Sequence, residues 1–554
     1  MKTAYSIQTI FQDLLKTIQQ NNEVDNISKI FSKITTNHER VDFVIELLKK
    51  YQISCEFVKD KKCDKVSVNL REQGNQKFKG KLLQEALELY TQSLANAEEN
   101  SENFSKALAN RSAVLFELEL YEECLKDIEK SLENNYPKDL QPKLIKRKTN
   151  ALSQVQSEKD RKPYFKPAPD LPIASKLSSI ECSTNLLEIQ STPTQGRHVV
   201  AKENIEIGDI LAVEKPFCHI LASEFYSHCH ECLKLSYNLV PCPNCTQVLY
   251  CSSECQKDAQ KYHKYECNIL KTLRSLKLDK MKLLPLKLAM LARDCYSEIA
   301  RYNELESVDK NYPYRSDRYK EIHNLVANTQ SRSVADLFER STTAAIIYNL
   351  VKTHTQFFCD DTKEEMFKEI LLLHFQTAPC NFHEISELSR TKEGYFETQE
   401  IGAGAFAFLS LFNHCCNPNV VRHCHGNVVV LRAIRSIAKG EQCYDNYGYH
   451  YALMPKLDRQ QNLKKQYFFE CNCEVCIKDW PTLQFLSTPN FKTGVTDIDI
   501  MNLRKGNEAC IDQICQKLLP KMKELEETQP SRMFAEMQEV LKQCYALLGN
   551  VRRT

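Results

Sequence analysis

The chain has 554 residues, 74 basic and 72 acidic, with a formal net charge of +2. That length allows three or four domains with their own cores, and charges that nearly cancel exclude bulk attraction to nucleic acid or to an anionic membrane surface. No apolar run reaches the roughly 18 residues of a membrane span, and the start Met1-Lys2-Thr3-Ala4-Tyr5-Ser6 lacks an apolar secretory core, so a soluble intracellular protein is expected whose 25 cysteines serve metal rather than disulfides. In residues 1–65, Ile7, Ile10, Phe11, Leu14, Leu15 and Ile18 recur near a 3.6 period, which predicts a helical region with a packing face and no chemistry.

Residues 66–156 are repetitive. From Asn69 through Gly74 and Ala86 to Tyr90, small residues fall where paired helices must approach closely and a large one where the next gap must be filled; a second unit runs from Lys106 through Asp127, and a third starts near Pro142. This pattern resembles tetratricopeptide repeats of the carboxylate-clamp kind. The resemblance places a clamp at Arg71, Asn75, Asn110, Lys143 and Arg147 and implies as partner the acidic C-terminal tail of a heat-shock chaperone, held by charge-assisted hydrogen bonds. Residues 157–178, mixing charge with Pro163, Pro167 and Pro169, read as a linker.

Alternating apolar and polar residues between 185 and 217, as in Leu187-Glu188-Ile189 and Ile210-Leu211-Ala212-Val213, predict strands. The chain then spaces ligands as Cys229-x2-Cys232, Cys242-x2-Cys245, Cys251-x3-Cys255 and His263-x3-Cys267. Eight nitrogen and sulfur ligands make two tetrahedral zinc sites, without which residues 229–267 could hardly fold. The unit resembles a MYND finger, whose interleaved pairing implies Cys229, Cys232, Cys251 and Cys255 at one ion and Cys242, Cys245, His263 and Cys267 at the other; such fingers bind peptides, often rich in proline. Residues 268–400 are expected to be mainly helical, from runs such as Leu283–Leu291 and Val334–Phe338.

Three signals then sit close together: Asn413-His414-Cys415-Cys416-Asn417-Pro418-Asn419, then Gly440-Glu441-Gln442-Cys443-Tyr444-Asp445-Asn446-Tyr447, then Tyr467-Phe468-Phe469-Glu470-Cys471-Asn472-Cys473-Glu474-Val475-Cys476. Their order resembles the catalytic end of SET-domain lysine methyltransferases, with Cys415 in place of that family's Ser. Together with the finger and the phrase Gln195-Gly196-Arg197-His198, where His198 replaces a glycine, the chain resembles the SET and MYND domain (SMYD) family, in the subgroup with N-terminal tetratricopeptide repeats.

The resemblance implies a multidomain α+β protein. Its parts would be the repeat domain, a β-rich SET domain opening at 179–228 with the inserted finger, a helical insert at 268–400, a catalytic core at 401–450, a zinc-bound tail at 451–480 and a C-terminal helical domain at 481–554. It implies transfer of a methyl group from S-adenosylmethionine to a protein lysine, of a histone or another protein. Tyr447 and Tyr467 would be catalytic; Gln195, Gly196, Arg197, Asn413, His414, Tyr447 and Phe469 would contact the cofactor; Cys416, Cys471, Cys473 and Cys476 would bind a third structural zinc. A monomer in cytoplasm and nucleus is expected, with no direct contact to nucleic acid or membrane. The alternative reading is a catalytically weak or silent adaptor that joins a chaperone to repressor or client proteins through repeats and finger.

Overall fold

The computed structural model describes residues 6–155, 166–171, 179–299, 302, 314–358, 361–486 and 494–552. The chain divides into two compact units, one of residues 1–163, 220–283 and 341–368 and the other of residues 164–219, 284–340 and 369–554. The linker expected at 157–178 falls mostly outside the described residues.

In the first unit the helices Ile7–Gln20, Val24–Phe31 and Asn37–Lys50 bury Ile10, Leu14, Ile18, Phe31, Val41 and Val44, so the 3.6 period marks a packing face. The helices Asp64–Lys79 and Leu83–Asn96 pack as one pair, and Glu102–Glu117 and Tyr121–Glu133 as the next. Gly74 is required by the first pair: a Cβ there would stand 2.6 Å from the Tyr90 ring. Where a third repeat is expected, the helix Gln141–Val155 is described and residues 156–165 are not.

Buried Arg111 forks onto Asp127, Nε to Oδ2 at 2.6 Å and the second terminal nitrogen to Oδ1 at 2.8 Å, and donates to the Leu239 carbonyl at 2.9 Å. Asn238 Nδ2 donates to Asp127 Oδ1 at 3.0 Å and to the Glu123 carbonyl at 2.8 Å. The ion pair thus has the extra hydrogen bonds that a buried pair needs to offset its desolvation, and those bonds fasten the finger segment at 238–239 to the second helix pair.

The second unit is β-rich. Leu187–Thr192 pairs antiparallel with Gly196–Ala201, and Val428–Ala433 lies between Val420–His425 and Ile210–Glu214. The helical expectation for residues 268–400 is corrected at its end, where His383–Arg390 and Phe396–Ala405 form an antiparallel hairpin. Local pattern hides these strands because residues such as Glu384, Glu387, Glu397 and Glu400 are weak strand formers, and strand preference depends on context. Val551–Arg552 adds to His383–Arg390 in parallel, Val551 opposite Leu388. The C-terminal helices Asp497–Arg504, Ile511–Leu525 and Arg532–Leu548 build a core of Ile514, Leu518, Met522, Phe534 and Leu541 that also takes in Leu388 and Ile434, seating the helices against the sheets.

Candidate functional site

The site is built where two motifs distant in sequence cross. Asn413–His414 pairs in parallel with Tyr444–Asp445, Asn413 opposite Tyr444, and the Cys415 amide donates to the Asp445 carbonyl at 2.9 Å. This short ladder faces a cavity of about 450 Å³ bordered by Gln195, Gly196, Arg197, Asn413, His414, Tyr447, Tyr467 and Phe469, a size suited to a cofactor-sized ligand. Gly196 turns with φ of +64°, and a Cβ there would meet nothing within 4 Å, so its bare backbone faces open space. His198 is buried with Nδ1 2.9 Å from the Gly196 carbonyl and does not border the cavity. Arg197 donates to the Asn324 carbonyl at 2.9 Å and pairs with Glu321 at 3.5 Å.

Gln442 ties the floor together. Its Oε1 accepts from Asn413 Nδ2 at 3.0 Å and its Nε2 donates to Gln195 Oε1 at 2.9 Å, while Asn413 Nδ2 also reaches the Gln195 carbonyl at 3.3 Å.

Hydrogen-bond roles at His414 follow from its partners. The Tyr447 amide can only donate, so His414 Nδ1, 3.1 Å away, is the acceptor, and the ring proton sits on Nε2, aimed at Cys416 Sγ at 3.4 Å. Burial pushes this imidazole down to about 4, which keeps it neutral. The Tyr447 hydroxyl donates to the Phe412 carbonyl at 2.9 Å, and burial holds its pKa well above the ordinary phenol value. The Tyr447 and Tyr467 rings stand 4.7 Å apart at 35°, with Phe469 on the other side of His414 at 6.2 Å.

Three ligand groups come together, each with its ligand atoms within 4.8 Å of one another: Cys229, Cys232, Cys251 and Cys255; Cys242, Cys245, His263 and Cys267; and Cys416, Cys471, Cys473 and Cys476. Sulfurs around zinc at about 2.3 Å would lie about 3.8 Å apart, and Cys416 Sγ is 3.9 Å from Cys471 Sγ and 3.5 Å from Cys476 Sγ. In the finger, Cys232 and Cys251 are 3.6 Å apart, Cys242 and Cys267 3.9 Å, and His263 Nε2 is 3.6 Å from Cys245 Sγ. His263 Nδ1 lies 3.0 Å from Glu266 Oε1, the outer contact that orients an imidazole toward a metal. All three groups fit closed tetrahedral zinc. Cys415 stays outside the third set.

Several contributors escaped sequence reasoning. Glu214 is buried and accepts from the Phe408 and Leu409 amides, both at 2.8 Å, bracing the turn that delivers the Phe412 carbonyl to Tyr447. Arg422 bonds Asp445 Oδ2 at 2.5 Å, two residues before Tyr447. Cys380 borders the cavity and donates to the Gln466 carbonyl at 3.3 Å.

Among the helix pairs of the first unit, Asn75 Oδ1 accepts from the Tyr90 hydroxyl and from Asn110 Nδ2, each at 2.8 Å, and Arg147 donates to the Ala109 carbonyl and the Ser112 hydroxyl, each at 2.8 Å. Arg71 and Arg147 both lie close enough to Tyr90 to act on its hydroxyl. Arg71 Nε is buried without a partner, and Lys143 is exposed. Three of the five expected clamp residues are therefore occupied within the domain, and two cations are uncommitted.

Residues 229–267 match the MYND finger family. Over 503 residues the chain is 27% identical to "Protein-lysine N-methyltransferase SMYD4" of Danio rerio, covering 76% of this chain and 66% of that protein. It is 26% identical to the Mus musculus protein of the same name, covering 80% and 71%, and 29% identical to "Histone-lysine N-methyltransferase ASHR1" of Arabidopsis thaliana, covering 52% and 55%. The matched stretch thus spans about two thirds of the zebrafish relative.

Proposed function

We propose that the chain is a member of the SET and MYND domain family, a reading supported by its MYND finger and its similarity to the two SMYD4 proteins, and that it is an S-adenosylmethionine-dependent protein-lysine methyltransferase. The observation that carries this reading is the single cavity onto which Tyr447, Tyr467, Phe469, Asn413, His414 and the bare turn at Gly196 converge. S-adenosylmethionine, when bound, supplies an electrophilic methyl group. Gln195, Gly196, Arg197, Asn413, His414 and Phe469 are the residues that would hold it.

The residues of the chain do the rest. Displacement needs a neutral amine aligned with the methyl group, and deprotonating a lysine of pKa about 10.4 at pH 7 costs about 4–5 kcal/mol. A channel walled by Tyr447 and Tyr467 lowers that cost by excluding water. Because the Tyr447 proton is committed to the Phe412 carbonyl, its oxygen is left as an acceptor suited to orienting an amine N–H. The zinc ions are structural, since each set offers four protein ligands and no open position.

The acceptor side is supplied by a neighbouring cavity of about 510 Å³ bordered by Glu387, Phe396, Arg422, His423, Lys542 and Asn550. Arg422 links it to the first site, since it bonds Asp445 and acts on the Tyr467 hydroxyl. Charges of both signs on this wall suit a polypeptide, histone or otherwise. Transfer of labelled methyl groups to protein in cell extract tests the reading: label in protein supports it, and none with a cofactor-binding chain opposes it.

We further read the helix pairs as tetratricopeptide repeats, residues 451–480 as the zinc-bound tail of a SET domain, and the finger as inserted into that domain. The uncommitted Arg71 and Lys143 suit an acidic C-terminal peptide of chaperone type, and the finger suits a proline-rich one. The protein would act as a monomer in cytoplasm and nucleus. Replacing Arg71 and Lys143 together by Ala is expected to weaken binding of an acidic C-terminal peptide at least about tenfold, since hydrogen bonds to charged groups each contribute about 1.5–3 kcal/mol. Fluorescence anisotropy measures it, with circular dichroism as the fold control; unchanged affinity removes the clamp.

A further inference from the structure

Arg459 lies on the helix Lys456–Tyr467 and is fully buried. Its hydrogen bonds go to Cys416 Sγ from Nε at 3.2 Å, to Cys476 Sγ from a terminal nitrogen at 3.7 Å, and to the Met454 carbonyl. Among the described residues no carboxylate pairs with it. A guanidinium cannot lose its proton to escape such a place, and burying it beside neutral thiols, which are weak acceptors, would leave its charge uncompensated.

The contradiction disappears if the sulfurs are thiolates on a divalent ion, for four thiolates and one such ion carry a net charge of −2 that itself needs a cation. Cys416 then accepts two N–H groups, from Arg459 Nε and from His414 Nε2. His414 in turn accepts the Tyr447 amide. The helix that carries Arg459 ends at Tyr467, whose ring faces Tyr447.

We propose that Arg459 is a positioning residue: as counter-ion of the four-thiolate centre it holds Cys416 and Cys476 in ligating geometry, and so sets Tyr447 through His414 and Tyr467 through its own helix. The part concerning the tyrosines rests on the methyltransferase reading; the counter-ion part does not. A residue that only filled space would leave the metal's electronic environment unchanged, whereas N–H groups on metal-bound sulfur alter it, and outer contacts of this kind change metal retention by about 10- to 100-fold.

The test uses the full chain with Arg459→Met, of similar length and no charge, and Arg459→Lys, which keeps the charge with fewer donors. Cobalt-substituted protein reports the sulfur-to-metal charge-transfer absorption, and a chromogenic chelator follows zinc release. Arg459→Met is expected to shift that absorption and to release one ion at least about tenfold faster, while two ions leave at the wild-type rate. Arg459→Lys is expected to shift the absorption less and to restore much of the retention. Unshifted absorption and wild-type release overturn the proposal, in both variants or in the lysine variant alone where the methionine variant is insoluble. If these readouts behave as expected but the wild-type chain transfers no methyl group, the counter-ion assignment stands and the methyltransferase reading falls.

Discussion

Replacing Tyr447 by Phe is expected to lower methyl transfer at least about 10²-fold, because the amine loses the one oxygen placed to orient it, and small misplacements in a displacement geometry cost that much. The fold should hold. The hydroxyl contributes one hydrogen bond, to the Phe412 carbonyl, whereas the ring packs against Tyr467 and the backbone amide keeps its bond to His414. The zinc content, the melting temperature within a few degrees and cofactor binding are expected to stay as in the wild type, so that kcat falls and the binding constants do not. Steady-state kinetics on a labelled protein acceptor measures this. Equal loss of kcat and of cofactor binding would show instead that Tyr447 shapes the pocket.

Replacing Cys476 by Ser is expected to remove one zinc ion of three and with it all transfer. Structural zinc contributes about 10–16 kcal/mol in isolated fingers, and here the thiolates it holds would also compensate the charge of Arg459. Without it the cluster of Cys416, Tyr451, Leu463, Val475 and Trp480 loses its bracing, and Tyr447, Tyr467 and Phe469 pack against that cluster. Elemental analysis should give two ions per chain, and limited proteolysis should cut between residues 467 and 486. Three ions retained would mean that a different set, such as one recruiting Cys415, holds the metal.

What could be read from the sequence follows the chemistry. Zinc ligands announce themselves because tetrahedral coordination by pairs of residues forces short fixed spacings, and the structure brings the three sets together. The crossing of the Asn413 and Tyr447 motifs was legible as an order of motifs, and Gly74 beside Tyr90 as a small residue opposite a large one. The hairpin at 383–405 was not, because its glutamates at 384, 387, 397 and 400 are weak strand formers and blur the alternation. Arg459 was not, because a charged residue in a polar stretch reads as solvated until the fold buries it, and neither was Glu214, whose partners are the distant Phe408 and Leu409 amides. At residues 66–156 the pattern named five clamp positions, but only the packing reveals that Asn75, Asn110 and Arg147 bond among the helices while Arg71 and Lys143 do not.

Titration of S-adenosylmethionine into the metal-replete full chain, followed by calorimetry, tests the central claim most directly. One-to-one binding is expected, weakened at least about tenfold by Asn413→Ala, which removes a side chain bonded to both Gln195 and Gln442 at the cavity floor. No binding heat from a folded chain holding three zinc ions would contradict the account, and would leave an adaptor working through its repeats and finger.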